Sequence, residues 1–466
     1  MVLNMDLTIY EVSECLQSQL IGMSEEHAKL KQLTGAVLDS RLVQKGHLFF
    51  ATKGEKVDGH SFIEKAVKLG ASLIVCEKVP EVAIPYVLVE DSFEALKRVA
   101  TFYREKLTIP VVGITGSVGK TSTKEIIAAG LKKRYNVLKT EGNFNNEVGL
   151  PLTILRIREE HEIAVLEMGI SEFGEMSRLT QIAKPDIAVI TNIGQCHLEN
   201  LEDRDGVARA KTEIFKGLSE NGRVVLNGDD DKLAKILRVK GLTPVFFGTG
   251  TLEHVKLDVK LEAVYSNGIY GSDYTMYAFG QSYTGTMHLP GEHMVWNTMA
   301  AVCVGVLLDM SVNEVLGGVL KVESVGGRSN IIHNKDGIII DDCYNANPGS
   351  MKTAIELLNS AIGVKTAILG DMFELGEFTL DLHAEVGVYA VTHGVHRMIC
   401  IGELSKRMYE AAKLHIGNLS EREVLYFEDK ASFFHAYTKG AFRSDAVLVK
   451  ASHGMAFEEI VEWLKD

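Results

Sequence analysis

The sequence predicts an α/β protein of three domains, two of them built on mainly parallel sheets. Three observations carry that reading. From about 111 to 248, and again after Gly326-Gly327, apolar runs rich in Val and Ile alternate with helix-length segments, the pattern of parallel βαβ units. At 466 residues the chain is too long for one ordinary core. Hydrophobic residues make up 46% of it against 24% charged, which is enough apolar material to fill several cores.

The elements follow in order. Residues 1–108 read as a small mixed α/β unit with turn-rich stretches at Lys53-Gly54 and Asp58-Gly59. Residues 109–322 form the central unit, with strands expected at 111–115, 163–168, 186–191 and 223–226. Each of these runs into a Gly, Asn or acidic residue, and open α/β sheets bind ligands at that end of their strands. Between about 256 and 290, aromatic and β-branched residues around turn signals suggest an antiparallel excursion, followed by a helix from about Met294. Residues 323–466 form a doubly wound third unit with strands near 338–342, 366–369, 397–401 and 446–449.

Lys plus Arg number 49 and Asp plus Glu 62, so the formal charge is 49 − 62 = −13, which argues against a nucleic-acid or anionic-membrane binder. A phosphorylated ligand must therefore be held by a local site. The six cysteines, at 15, 76, 196, 303, 343 and 400, lie far apart with no CxxC pair and read as reduced thiols in a cytoplasmic protein. No apolar run approaches the roughly 20 residues of a membrane-spanning helix, so membrane insertion is not expected.

The strongest local signal is the stretch from Gly113 to Thr121, reading Gly-Ile-Thr-Gly-Ser-Val-Gly-Lys-Thr between an expected strand and an expected helix. Small residues at Gly116, Ser117, Val118 and Gly119 let backbone N–H groups turn toward an anion at a helix N-terminus. Lys120 adds a point charge for the phosphates and Thr121 a hydroxyl for a nucleotide's magnesium, so the expected cofactors are ATP and Mg2+. The general pattern is GxxxxGK[ST]; here the first glycine comes one residue early, so only its second half is matched.

Three more residues fall near the same sheet edge. Glu167 ends a buried apolar strand, where a carboxylate needs a cation or a partner; it is either a magnesium ligand or the cap of the next helix. His197 follows another strand end, where a structural role is the default for a lone imidazole. Lys211 lies in a helical stretch, where a solvated lysine is the default.

Taken together, Thr115-Gly-Ser-Val-Gly-Lys-Thr121, Glu167-Met-Gly, Thr191-Asn-Ile-Gly with His197, and Ala208-Arg-Ala-Lys211 resemble the Mur ligases of peptidoglycan synthesis, whose loop has the same shortened form. Further motifs extend the resemblance over nearly the whole chain: the asparagine-rich stretch from Gly142 to Thr153, Asp341-Asp-Cys-Tyr-Asn-Ala-Asn-Pro348, and Leu369-Gly-Asp-Met-Phe-Glu-Leu-Gly376. The resemblance implies a central P-loop ATPase-like domain, a Rossmann-like C-terminal domain and an N-terminal domain for a UDP-sugar. It implies an ATP-dependent carboxylate–amine ligase, with UDP-N-acetylmuramoyl-tripeptide and D-alanyl-D-alanine as its expected substrates, acting as a monomer.

The resemblance also assigns roles. Glu167 and His197 would serve magnesium ions with Thr121, and Lys211 would carry a carbamate beside the second ion. Asn297 would contact adenine, Arg328 would reach the γ-phosphate, and Asp342 would hold the ribose, with Asp341 as the alternative. Ser40 and Arg41 would bind the UDP end of the substrate. Asn143, Asn145, Asn146, Tyr344, Asn345 and Asn347 would face the muramoyl peptide, with turn and loop capping as the other reading for these amides. His453 stands where relatives carry an arginine, and no role follows for it. His383 and residues 371–374 are candidates to flank the D-alanyl-D-alanine site.

Overall fold

The computed structural model describes residues 5–54, 56–324, 326–334, 337–417, 422–438, 440–443 and 445–465. Its strands form three sheets. The first has five short strands in the order Leu20–Ile21, Tyr86–Leu88, Leu73–Cys76, His47–Ala51, Gly35–Val37, all parallel except the first. The helix Ser92–Lys106 then leads into the second sheet, capped by Asp91, whose side chain accepts from the backbone of Phe93 and Glu94. Arg104 on this helix is buried and donates to the carbonyls of Ala183 and Lys184 and to Asp186, which ties the helix to the start of a central strand.

The second sheet has nine strands. Its parallel part runs Val259–Ser266, Val245–Gly248, Arg223–Asn227, Ile187–Ile190, Val111–Thr115, Ile163–Glu167, Val137–Lys139. Val112, Ile114, Val165 and Val189 on its middle strands are fully buried, each contributing roughly 1.5–3 kcal/mol. The antiparallel excursion is present within the expected bounds: Ser272–Ala278 pairs with Val259–Ser266 on one side and Gln281–Met287 on the other. The expected helix follows as His293–Leu307 and packs on Lys120–Leu131.

The third sheet runs Asn330–His333, Ile338–Asp341, Asp445–Lys450, Val364–Gly370, Arg397–Ile401, Glu423–Phe427, parallel except for its first strand. All four strands expected in this stretch are present, with two edge strands in addition. The helix Pro348–Asn359 starts with proline in its first turn and Asn347 as cap, as the stereochemistry of helix entry favours. Among the described residues no helix is long and apolar enough to cross a membrane.

Candidate nucleotide and phosphoryl-transfer site

The loop between Val111–Thr115 and Lys120–Leu131 is braced from behind by the segment that follows Ile187–Ile190. Ser117 N and Val118 N donate to Asn192 O and Asn192 Oδ1, both at 3.0 Å, while Thr191 Oγ1 and Asn192 Nδ2 donate to Val118 O at 2.7 and 2.9 Å. Gly116 is required here, since a Cβ on it would fall 1.9 Å from Thr191 Oγ1. Gly119, at φ +82°, turns the chain into the helix. The N–H groups of Lys120, Thr121 and Ser122 then stand in a first turn that offers them no acceptor within the helix. Lys120 Nζ donates to Gly116 O at 2.8 Å; burial, and then the nearby Lys211, push its pKa down to about 8.

Glu167 is 1% exposed and caps no helix. Its Oε2 accepts from Thr121 Oγ1 at 2.9 Å and its Oε1 from Asn145 Nδ2 at 2.8 Å, so loop, strand end and asparagine-rich segment meet at one carboxylate. His197 sits in the left-handed region at φ +53° and its Nδ1 is hydrogen-bonded to Glu374, a contact that joins the central sheet to the loop after Val364–Gly370. Lys211, on Arg204–Thr212, is fully buried, and its Nζ has no hydrogen-bond partner. That overturns the solvated-lysine reading. Burial drives its pKa down, against the opposing pull of Cys196 and Glu175, which favours a neutral amine.

Four of these groups share a cavity of about 390 Å³ with residues from the third sheet, while Thr121 and Lys211 line neither this cavity nor the next. Lys120, Asn145, Glu167 and His197 line it on one side, and Arg328, Asp342 and Lys450 on the other. Asn146, Tyr344, Asn345 and Asn347 also line it. A second cavity of about 840 Å³ shares Val118, Gly119, His293 and Thr353 with the first and is walled by Asn297, Trp296 and Phe247. Asn297 is held there by Thr123 Oγ1, which donates to its Oδ1 at 3.0 Å.

Arg328 stacks on Tyr344, its guanidinium carbon 4.0 Å from the ring centre. Asp342 accepts from Ser329 N at 2.8 Å and from Lys450 Nζ at 2.5 Å. Asp341, in contrast, turns back to Gly327 N and Cys343 and lines neither cavity, so of the two acids it is Asp342 that faces the site. Asn347 lines the cavity and also caps a helix, and Asn146 likewise accepts from Val148 N and Gly149 N; the capping reading holds beside the site reading.

Several expected residues lie elsewhere. Asn143 is exposed beside Asn145 and lines neither cavity. Ser40 and Arg41 are also outside both; Ser40 is buried, and Arg41 pairs with Asp39 at 2.6 Å with its side chain 78% exposed. His453 is exposed, tilted against Tyr344. His383 is fully buried: its Nδ1 donates to Thr379 O and its Nε2 accepts from Met372 N, which makes it a brace for the 371–376 loop.

Sequence reasoning missed Asn192, Thr191, Lys124, His293 and Lys450. Lys450 opens the Lys-Ala-Ser-His-Gly segment at a strand end, but nothing in that segment points to its partner Asp342. Asn192 and Thr191 stood inside a quoted motif whose role as a brace needs the fold to be seen. Among the described residues no three His, Cys, Asp or Glu side chains converge on a metal-sized site. Magnesium asks for less, because it keeps waters and substrate phosphates as ligands beside one or two carboxylates.

Comparison with known proteins agrees with this geometry. The Mur ligase family, catalytic domain, matches residues 32–126, the Mur ligase middle domain 114–305, and the Mur ligase, glutamate ligase domain, 327–453. UDP-N-acetylmuramoyl-tripeptide–D-alanyl-D-alanine ligase of Bacillus subtilis is 36% identical over 463 residues, covering 98% of this chain and 97% of that one. The Escherichia coli ligase of the same name is 30% identical, covering 99% and 98%. A crystal structure of MurF from Acinetobacter baumannii superposes with a TM-score of 0.88 at 27% identity, covering 100% and 99% of the two chains. MurF from Thermotoga maritima, solved in complex with ADP, superposes at 0.77 with 32% identity, covering 92% and 96%. Sequence and fold agree, and the chain belongs to the Mur ligase family.

Proposed function

We propose that this chain joins D-alanyl-D-alanine to UDP-N-acetylmuramoyl-tripeptide at the expense of ATP, giving UDP-N-acetylmuramoyl-pentapeptide, ADP and phosphate for peptidoglycan synthesis. The observation that carries it is the shared cavity: Lys120 and Glu167 from one sheet face Arg328 and Asp342 from another, beside a second cavity of a size that suits small ligands and cofactors. The curated relatives bear the name of this activity.

A carboxylate and an amine do not condense favourably in water. The γ-phosphoryl group of ATP passes to the terminal carboxylate of the tripeptide, the amine of D-alanyl-D-alanine attacks the resulting acyl phosphate, and phosphate leaves as the amide forms. Lys120 and the first-turn N–H groups hold the phosphates, and Arg328 adds a fixed fork of donors from the opposite wall. Asn297 addresses adenine and Asp342, oriented by Lys450, the ribose. Enclosure between two sheets keeps water from the acyl phosphate. Bound with the nucleotide, magnesium supplies positive charge where negative charge accumulates. The oxygens of Thr121 and Glu167 would hold it, with His197 and a carbamate on Lys211 for a second ion. A buried, unpartnered, neutral amine is the form of lysine that carbon dioxide can convert to such a carbamate. Asn145, Asn146, Tyr344, Asn345 and Asn347 face the peptide end. Ser40 and Arg41, outside both cavities, suit the uridine diphosphate end of a long substrate, and Asn143, also outside them, suits its muramoyl part.

The test is a coupled assay with mass spectrometry of the product. Phosphate release should require both UDP-N-acetylmuramoyl-tripeptide and D-alanyl-D-alanine and should yield a product heavier by that dipeptide; release that ignores either substrate overturns the reading.

A further inference from the structure

Lys124 is a buried cation that the chemistry above leaves unused. Lys124 is 1% exposed and lines neither cavity. It stands three residues after Thr121 on Lys120–Leu131, so both side chains project from one face of the helix toward the end of Ile163–Glu167. Its Nζ lies 3.6 Å from Glu167 Oε2 and 3.3 Å from Glu125 Oε1. Glu125 in turn pairs with Lys139. The four side chains alternate in sign, Lys139, Glu125, Lys124, Glu167, from a partly exposed end to the floor of the site.

We propose that Lys124 is a positioning residue, the resident counter-cation of Glu167, which holds and aims that carboxylate in the absence of nucleotide and yields it when magnesium arrives. This rests on the proposed function only in taking Glu167 to face magnesium. A carboxylate as buried as Glu167 needs a compensating charge at all times. Without nucleotide, Lys124 is, among the described residues, the cation within ion-pair distance of Glu167, with Lys120 attracted to it from farther off; Thr121 and Asn145 supply only neutral donors. Once a divalent ion neutralises Glu167, Lys124 still has Glu125 and is not left unpaired. The loose 3.6 Å approach to Glu167 beside the closer one to Glu125 suits a partner that can give way.

The experiment follows thermal unfolding midpoints of the full chain for wild type, Lys124→Met, Lys124→Arg, Glu167→Gln and the Lys124→Met, Glu167→Gln pair. Each is measured alone, with ADP, and with ADP plus Mg2+. Lys124→Met should lower the midpoint of the free protein, and Mg2+ with ADP should raise it by more than in wild type, while ADP alone should not. The pair should recover most of the loss, because no buried charge is then left over, and Lys124→Arg should behave as wild type. If Lys124→Met does not fold, recovery in the pair carries the test. Additive losses in the pair, or an unchanged magnesium response in Lys124→Met, overturn the proposal. Wild type that shows the Mg2+ and ADP response but forms no pentapeptide would sink the function proposed above and leave Lys124 in place.

Discussion

Lys450 Nζ lies 2.5 Å from Asp342 Oδ2 and also donates to the carbonyls of Asp342 and Asn345. One cation from the strand Asp445–Lys450 thus fixes both the acid and the backbone of the loop that follows Ile338–Asp341. Replacing Lys450 with Met should leave Asp342 and two carbonyls without their partner. Breaking one side of such a pair costs about 3–5 kcal/mol where it is fully buried, and Lys450 has only 3% of its side chain exposed. Urea unfolding should show a loss approaching that range, with part of it regained by adding Asp342→Asn, and the affinity for ADP should fall in the single variant.

Lys120→Ala is expected to separate chemistry from folding. The only hydrogen bond described for Lys120 Nζ goes to the carbonyl of Gly116, while the loop itself is held by Asn192 and Thr191. The unfolding midpoint should therefore stay near that of wild type. Turnover should fall by about 10²–10³ or more, the usual effect of removing one preorganised group that stabilises transition-state charge. Phosphate release in the presence of both substrates measures it.

What was legible in the sequence followed from local pattern. The strand, loop and helix around Lys120 could be read because apolar run, small residues and helix start are contiguous, and Glu167 because a carboxylate at the end of an apolar strand stands out. The edge strands were missed because Val137–Lys139 is only three residues long and Asn330–His333 and Glu423–Phe427 are short and only partly buried, so they carry weak periodicity. Lys124, Asn192 and Lys450 escaped for a different reason. Their partners lie 43, 74 and 108 residues away, and no local spacing announces such a contact. Lys211 was the reverse case: its helix looks solvated in sequence, yet packing buries the amine completely.

Lys211→Met tests the carbamate. In the unmodified chain Lys211 Nζ is buried with no hydrogen-bond partner, an arrangement that an apolar side chain of similar length relieves. The variant should unfold at the same temperature as wild type or higher, yet lose turnover. Wild type incubated with 13C-bicarbonate should show a carbamate carbonyl resonance that Lys211→Met lacks.

His383 should make stability depend on pH in a predictable direction. Burial lowers its pKa, only partly offset by the Thr379 carbonyl and Asp371, and the ring must be neutral to accept from Met372 N at 3.0 Å. The unfolded chain takes up a proton near pH 6.5, whereas the folded one resists it to lower pH. Above that point both states are neutral and the contribution is complete. As pH falls below about 6.5 the unfolded state binds the proton first, so stability drops by up to about 1.4 kcal/mol per pH unit from this one group. His383→Asn removes that slope while leaving Met372 N–H without its acceptor, which costs about 1–3 kcal/mol. The gap between wild type and variant in urea unfolding should thus be widest at pH 7.5 and narrow toward pH 5.5. Because the braced loop leads to Glu374, the partner of His197, turnover of the variant should fall even at pH 7.5, where the ring is neutral in both states.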